Sequence, residues 1–152
     1  MIIKLEPIND NNRDAVLALS VREDQPFVAP NDISLRQAEE ANAEDPGTAR
    51  PFAIYADDRL VGFCMFAFAP EARDPEDRYW LWRFMIDKSE QGKGYGQAAL
   101  AWIIKYFKDH GAHVLYLSTE PDNELVLHVY HKLGFRETGE FEEDEAILKL
   151  EL

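Results

Sequence analysis

Apolar residues alternate with polar ones from Ile2 to Leu5 and stop at Pro7, which predicts a short first strand. Helix caps cluster between Asn9 and Asn12, and Val16 and Leu19 follow at helical spacing, so a first helix is expected over about Asp14 to Ser20. The stretch from Val21 to Asn31 carries two prolines among mixed residues and reads as a loop. Ser34 then precedes a Glu- and Ala-rich run with Gln37 three residues on, the pattern of a capping box, and Pro46-Gly47 ends that second helix. Phe52 to Ala56 and Leu60 to Phe68 flank Asp57-Asp58-Arg59 as a hairpin; the second run is apolar on both faces and so predicts a central strand. After the charged loop from Pro70 to Asp77, Tyr79 to Ile86 reads as a long strand.

The later chain is more strongly periodic. Leu100, Ile103, Ile104 and Phe107 form a helical core stripe ended by Gly111. Val114 to Leu117 is a buried strand, and Asp122 or Asn123 caps a helix with the stripe Val126, Val129, Tyr130 and Leu133, ended by Gly134. Phe135 to Phe141 and Ala146 to Leu152 are strands around the acidic turn Glu142-Glu143-Asp144. A mixed α/β fold follows, with helices on both faces of one sheet.

At 152 residues the chain is expected to be a single domain, residues 1–152. Its one cysteine, Cys64, excludes an internal disulfide and a zinc site of several cysteines, so no metal is expected. The first residues are too few and too charged for a signal peptide, and no apolar run reaches membrane-spanning length, so a cytoplasmic protein is expected. With 16 Lys+Arg against 29 Asp+Glu the formal charge is −13, which disfavours nucleic acid and anionic membranes and favours a cationic partner; an acidic surface also serves solubility alone.

The strand ending at Ile86 runs into Gln91-Gly92-Lys93-Gly94-Tyr95-Gly96 and then a helix. Alternating glycines permit positive φ and leave backbone N–H groups free to converge on an anion, beside the positive end of a helix dipole. Lys93 is followed by Gly94 rather than Ser or Thr, which excludes a phosphate-binding P-loop. The glycine spacing and the missing βαβ context exclude a dinucleotide fingerprint. An anion site and a turn that merely lets a helix pack close to a strand remain as the two readings.

These elements, with Gln91, Gly94 and Gly96 in the turn and Asn123, Tyr130, Gly134 and Phe135 downstream, resemble the GNAT superfamily of N-acetyltransferases. Within it the chain is similar to bacterial spermine/spermidine (diamine) N-acetyltransferases, on the segments Glu23-Asp24-Gln25, Phe27 to Asn31, Val61-Gly62-Phe63 and Leu81 to Asp87. The resemblance implies a mostly antiparallel, twisted sheet of about seven strands, splayed after the fourth and flanked by about four helices. It implies acetyl-CoA as co-substrate, with the pyrophosphate on Gln91, Gly92, Lys93, Gly94, Tyr95 and Gly96. The pantetheine arm would pair with Phe84, Met85 and Ile86, and Asn123 would bind further along. Lys132 would meet a phosphate or stand in solvent. A homodimer is a family-level expectation.

A primary amine of pKa about 10.4 is almost wholly protonated at neutral pH, so a proton must leave the acceptor and another must reach the leaving thiolate. By resemblance Tyr130 is the acid; by its stripe alone it would be a core aromatic. No carboxylate lies on the strand from Tyr79 to Arg83, which leaves the base to water or to a loop residue such as Glu23, Asp24, Glu71 or Glu76. Trp80 and Trp82 share a strand face and either wall a channel for an alkyl amine or pack in the core. Gln25, Phe27 and Asn31, with Glu23, are expected near the substrate. The function implied is acetyl transfer to a small polycationic amine such as spermidine or spermine. Another amine (an aminoglycoside, an amino acid or a protein amine) and a non-catalytic acyl-CoA sensor are the alternatives.

Overall fold

The computed structural model describes residues 2–21 and 30–152. The chain forms β1 (Ile3–Pro7), α1 (Arg13–Leu17), α2 (Asn31–Glu44), β2 (Ala49–Ala56), β3 (Arg59–Phe68) and β4 (Tyr79–Ile86). It continues as α3 (Tyr95–Asp109), β5 (Val114–Thr119), α4 (Glu124–Leu133), β6 (Arg136–Glu142) and β7 (Glu145–Glu151). Short 3₁₀ turns lie at Pro75–Asp77 and Lys88–Glu90. The strands make one seven-stranded sheet in the order β1-β2-β3-β4-β5-β7-β6. All neighbours are antiparallel except β4 and β5, which are parallel. The mixed, mostly antiparallel sheet and its four helices are as the sequence predicts.

The β2–β3 hairpin turns through Asp57 and Asp58, both at positive φ (50° and 72°), the pair of left-handed residues that a two-residue hairpin of native twist demands. As its two-sided apolar pattern predicts, β3 is central. Val61, Cys64 and Phe66 face one side, against Leu100, Ile103 and Phe107 of α3. Phe63 and Met65 face the other, against Val16 of α1 and Leu35 and Ala38 of α2. Rings from Phe52, Phe66, Phe68, Tyr106 and Phe107 pack together under α3, with Phe66 and Phe107 centroids 4.8 Å apart.

Two helix boundaries differ from expectation. Helix α1 stops at Leu17, before Ser20, because the Ser20 backbone is engaged elsewhere: its N–H donates to Asp87 Oδ1 (2.9 Å) and its carbonyl accepts from Lys88 N–H (2.7 Å). Helix α2 starts at Asn31, not after Ser34, so the capping box does not form. The N-cap is Pro30, whose φ is already set by its ring and whose carbonyl accepts from the Ser34 N–H (3.1 Å). Ser34 is buried one turn inside the helix, and Gln37 is free to reach β4.

Strands β4 and β5 share only two register pairs, Trp80 with Tyr116 and Leu81 with Leu117, and then diverge. On its other edge β4 stays paired with β3 to Ile86, with a register irregularity between Met65 and Phe66 that leaves Trp82 as the extra residue. Among the described residues no helix is long and apolar enough to cross a membrane.

Near the end of β4 the backbone of β3 approaches so closely that a Cβ on Gly62 would lie 2.4 Å from the Met85 carbonyl oxygen and 3.0 Å from Ile86 Cδ1. Backbone cannot yield there as a flexible side chain would. Gly62→Ala is therefore expected to lower stability by about 1–3 kcal/mol, read in urea denaturation as a lower midpoint at unchanged slope.

Candidate functional site

The divergence of β4 from β5 opens a gap in the sheet, and three adjoining cavities run through it. The first lies at the glycine turn. Asp87 ends β4 with its N–H still on Val61 O (2.8 Å) and caps the following 3₁₀ turn, its carboxylate accepting from the Ser89 N–H (3.2 Å) and Ser89 Oγ (2.5 Å). Glu90 gathers Arg59 (3.0 Å) and Lys93 (3.2 Å). Gly92 (φ 78°) and Gly94 (φ 85°) then take left-handed conformations that other residues reach only at a cost. Gly94 is the N-cap of α3 and supplies no side chain to its first turn, while Gly96 is already helical. Positive φ is thus needed at two of the three glycines. Gln91 donates to the Ile86 carbonyl (2.9 Å) and pins the turn to the strand end.

A cavity of about 420 Å³ lies against this turn and is lined by Phe84, Met85, Ile86, Gln91, Gly92, Gly94, Tyr95, Gly96 and Asn123, together with Val126 and Val129 of α4. Lys93 is exposed and held by Glu90, and Lys132 is exposed on α4; neither lines it.

Phe84, Asn123 and Val126 also line the second cavity, of about 170 Å³, in the gap itself. Tyr130 stands there at 7% exposure, packed edge-on to Phe135. Burial, and after it the negative charge of Glu145, push the Tyr130 phenol pKa well above its ordinary value, so it stays protonated throughout the neutral range. Its neighbours include Arg83, Ser118, Glu120 and Glu145.

Leu81, Trp82, Arg83, Ser118 and Glu145 lead on to the third cavity, an open cleft of about 580 Å³. Trp80 and Trp82 both line it, on one face of β4 as their spacing predicts. Trp80 stacks on Tyr116 (centroids 5.3 Å apart) and donates to the Glu76 carbonyl (2.6 Å). Carboxylates of Asp77, Glu142, Glu143 and Glu145 complete the wall with Gln37. Arg83 is the cleft's cation among the described residues: it donates to Gln37 Oε1 and to Trp82 O (2.9 Å each) and lies 5.7 Å from the Trp82 ring. Burial lowers its pKa from the ordinary arginine value, against the pull of Glu145 and Glu142, and its buried Nε has no hydrogen-bond partner.

Glu23, Gln25 and Phe27 lie outside the described residues, as does Asp24. Asn31 is buried at the first position of α2, donating to Val16 O (2.9 Å), and lines none of the three cavities. Of the loop carboxylates considered above, Glu71 and Glu76 line none of them either, although the Glu76 carbonyl holds Trp80. In sequence Glu142, Glu143 and Asp144 read as a turn, Glu145 falls between that turn and the strand from Ala146, and nothing local singles out Arg83, Ser118 or Asp77. Four acids in succession at the end of a hairpin was the one local signal available. Among the described residues no group of three or more His, Cys, Asp or Glu is arranged to hold a metal ion.

Residues 15–135 match the model of the acetyltransferase (GNAT) family. The chain is 31% identical over 146 residues to the spermine/spermidine N(1)-acetyltransferase of Bacillus subtilis (strain 168), with 93% of each covered. It is 34% identical over 104 residues to the mycothiol acetyltransferase of Rhodococcus jostii (strain RHA1), covering 66% of this chain and 34% of that one. In fold it is similar to the PaiA N-acetyltransferase of Thermoplasma acidophilum, solved in complex with coenzyme A (TM-score 0.71, 14% identity, all of both chains). It is similar also to an aminoglycoside acetyltransferase solved with coenzyme A (TM-score 0.74, 14% identity, 99% of this chain and 95% of that one).

Asp87 joins the end of β4, the 3₁₀ turn and the Ser20 backbone. Burial acts to raise its pKa, but the hydrogen bonds from Ser89 and Ser20 outweigh it and hold the carboxyl below its ordinary value. A depressed folded-state pKa contributes stability above the unfolded value and loses it as pH falls through the folded one. Asp87→Asn is expected to cost no more than about 1 kcal/mol at pH 7 after solvent screening. The difference from wild type should begin to shrink as pH falls below about 4 and be gone below the depressed folded-state pKa, checked by denaturation at several pH values.

Proposed function

The chain belongs to the acetyltransferase (GNAT) family, and we propose that it transfers the acetyl group of acetyl-CoA to a primary amine of a small polycation such as spermidine or spermine. The observation that carries the acceptor class is the third cavity. Two indole faces and four carboxylates converge on a cleft that opens beside Tyr130. Indole faces attract ammonium groups and cover alkyl segments, and the carboxylates neutralise the remaining charges of a polyamine. The relative from Bacillus subtilis, aligned over nearly the whole chain, supports the same acceptor.

Backbone N–H groups between Gln91 and Gly96, at the start of α3, receive the pyrophosphate of acetyl-CoA. The free edge of β4 from Phe84 to Ile86 takes the pantetheine arm as an added strand in the gap, with Asn123 on the opposite side. Extension along β4 brings the thioester to the 170 Å³ cavity and Tyr130. The amine enters from the acidic cleft and forms the N–C bond to the thioester carbonyl carbon. As the tetrahedral intermediate collapses, the C–S electron pair moves to sulfur, which takes the Tyr130 proton. A phenol kept protonated by burial is in the right state for that role.

Arg83 favours one second reading, in which the acceptor carries a carboxylate beside its amine, as an amino acid does. Release of CoA from acetyl-CoA, measured against spermidine, spermine, putrescine, aminoglycosides, amino acids and a peptide, separates the two. A clear preference for spermidine and spermine is expected; preference for amino acids or a peptide overturns the polyamine reading, and tight acetyl-CoA binding without release to any amine leaves a sensor.

Tyr130→Phe should lower kcat by about 10²-fold with the apparent acetyl-CoA constant little changed; equal turnover removes the acid role. The double variant Glu142→Gln with Glu143→Gln should raise KM for spermidine by about fivefold at low salt and by less at high salt. A monoamine should be affected far less.

A further inference from the structure

We infer that Glu145, at the start of β7, is the general base that takes the proton from the acceptor's ammonium group. The inference rests on the reading that acyl transfer occurs beside Tyr130. Strand β4 carries no carboxylate, so a carboxylate base comes from another element. Among the described residues, Glu120 lines the Tyr130 cavity but not the acceptor cleft, whereas Asp77, Glu142 and Glu143 line the cleft but not the Tyr130 cavity. Among the described residues Glu145 is the one carboxylate that lines both, and no histidine lines either. An amine moving from the cleft to the thioester passes it.

The carboxylate is oriented for the task. Ser118 Oγ donates to Glu145 Oε1 at 2.7 Å, from the strand that forms the far side of the gap, and among the described residues no salt bridge engages the carboxylate. The charged and titratable groups around it are Arg83 from β4, Tyr130 from α4, Glu120 after β5, Glu142 and Glu143 from the adjoining hairpin end, and Asp77 across the cleft. Arg83 is the only cation in that set. Its guanidinium opposes a second positive charge at the inner end of the cleft, which favours the neutral amine there, while the outer carboxylates favour the charged form of more distant nitrogens.

In the resulting step Glu145 accepts one proton from the ammonium, and the freed lone pair forms the N–C bond while the carbonyl π pair moves to oxygen. Collapse restores the carbonyl and breaks C–S. Sulfur takes the Tyr130 proton, the second nitrogen proton restores the phenol, and Glu145 returns its proton to water. One acetyl group is transferred and one proton is released, as the neutral amide and thiol require.

The test is kcat/KM between pH 6.5 and 9.5 for wild type and Glu145→Gln, with whichever primary amine the wild type turns over best. An amide keeps the size of the side chain and an acceptor for Ser118. Wild type should be nearly level over this range, because the base draws on the abundant ammonium form. Glu145→Gln should be about 10²-fold slower at pH 7 and should recover about tenfold per pH unit as free amine becomes available. Its dissociation constant for acetyl-CoA should match wild type.

A loss that is the same at every pH, or no loss, overturns the inference. Should Glu145→Gln fail to fold, Ser118→Ala carries the test: lower kcat/KM at pH 7 with unchanged acetyl-CoA affinity supports the base, and unchanged turnover overturns it. Failure of the underlying reading looks different, since Tyr130→Phe would then turn over as wild type does.

Discussion

The site depends on the brevity of one strand pairing. Sheet neighbours gain from every hydrogen-bonded pair they form, yet β4 and β5 form only two before parting. Being parallel, with α3 packed between them in sequence, they are free to leave one another at an angle that a hairpin would forbid. Among the described residues the β5-side edge of β4 beyond Leu81 has no strand partner, and the gap is lined by side chains of β4, β5, α4 and β7. A continuous seven-stranded sheet would have had no cavity at Tyr130.

What fills that gap is polar on one side and apolar on the other. Towards the glycine turn the walls are Phe84, Ile86, Val126 and Val129. Towards the opposite face the walls are tryptophans and carboxylates. Tyr130 stands at the junction, protonated because burial penalises its anion and Glu145 adds to that penalty. Arg83 reverses the sign locally, held by Gln37 from the second helix and by its own neighbour Trp82. The cleft is therefore graded in charge rather than uniformly acidic, from the outer carboxylates to Arg83 beside the Tyr130 cavity.

The glycine turn is tied to three other parts of the chain. Gly92 and Gly94 supply the two left-handed residues, but Asp87, Glu90 and Gln91 tie the turn to Ser20, Arg59 and the end of β4. Gly62 lets β3 come close enough to keep β4 paired to its last residue. The strand that leads into this turn is the same one that lines the Tyr130 cavity.

Much of this was legible in the residues themselves. The seven strands, the four helices, the glycine turn, the tyrosine helix and the shared face of Trp80 and Trp82 all follow from periodicities and spacings of a few residues, which the chain imposes wherever it folds. Helix boundaries failed where the deciding partner was distant: Ser20 is drawn out of α1 by Asp87, and Ser34 is passed over because Pro30 already begins the turn. The acidic cleft was out of reach for the same reason. Glu145 meets Ser118 across 27 residues and Gln37 meets Arg83 across 46, and nothing in either local pattern marks the meeting. The sequence by itself determined which elements form and where the chain turns through left-handed glycines, because local sterics and hydrophobic period act within a turn or a strand. Only the tertiary structure decided which carboxylates face the tyrosine, because that is set by the register of β7 against β5 and by the parting of β4 from β5.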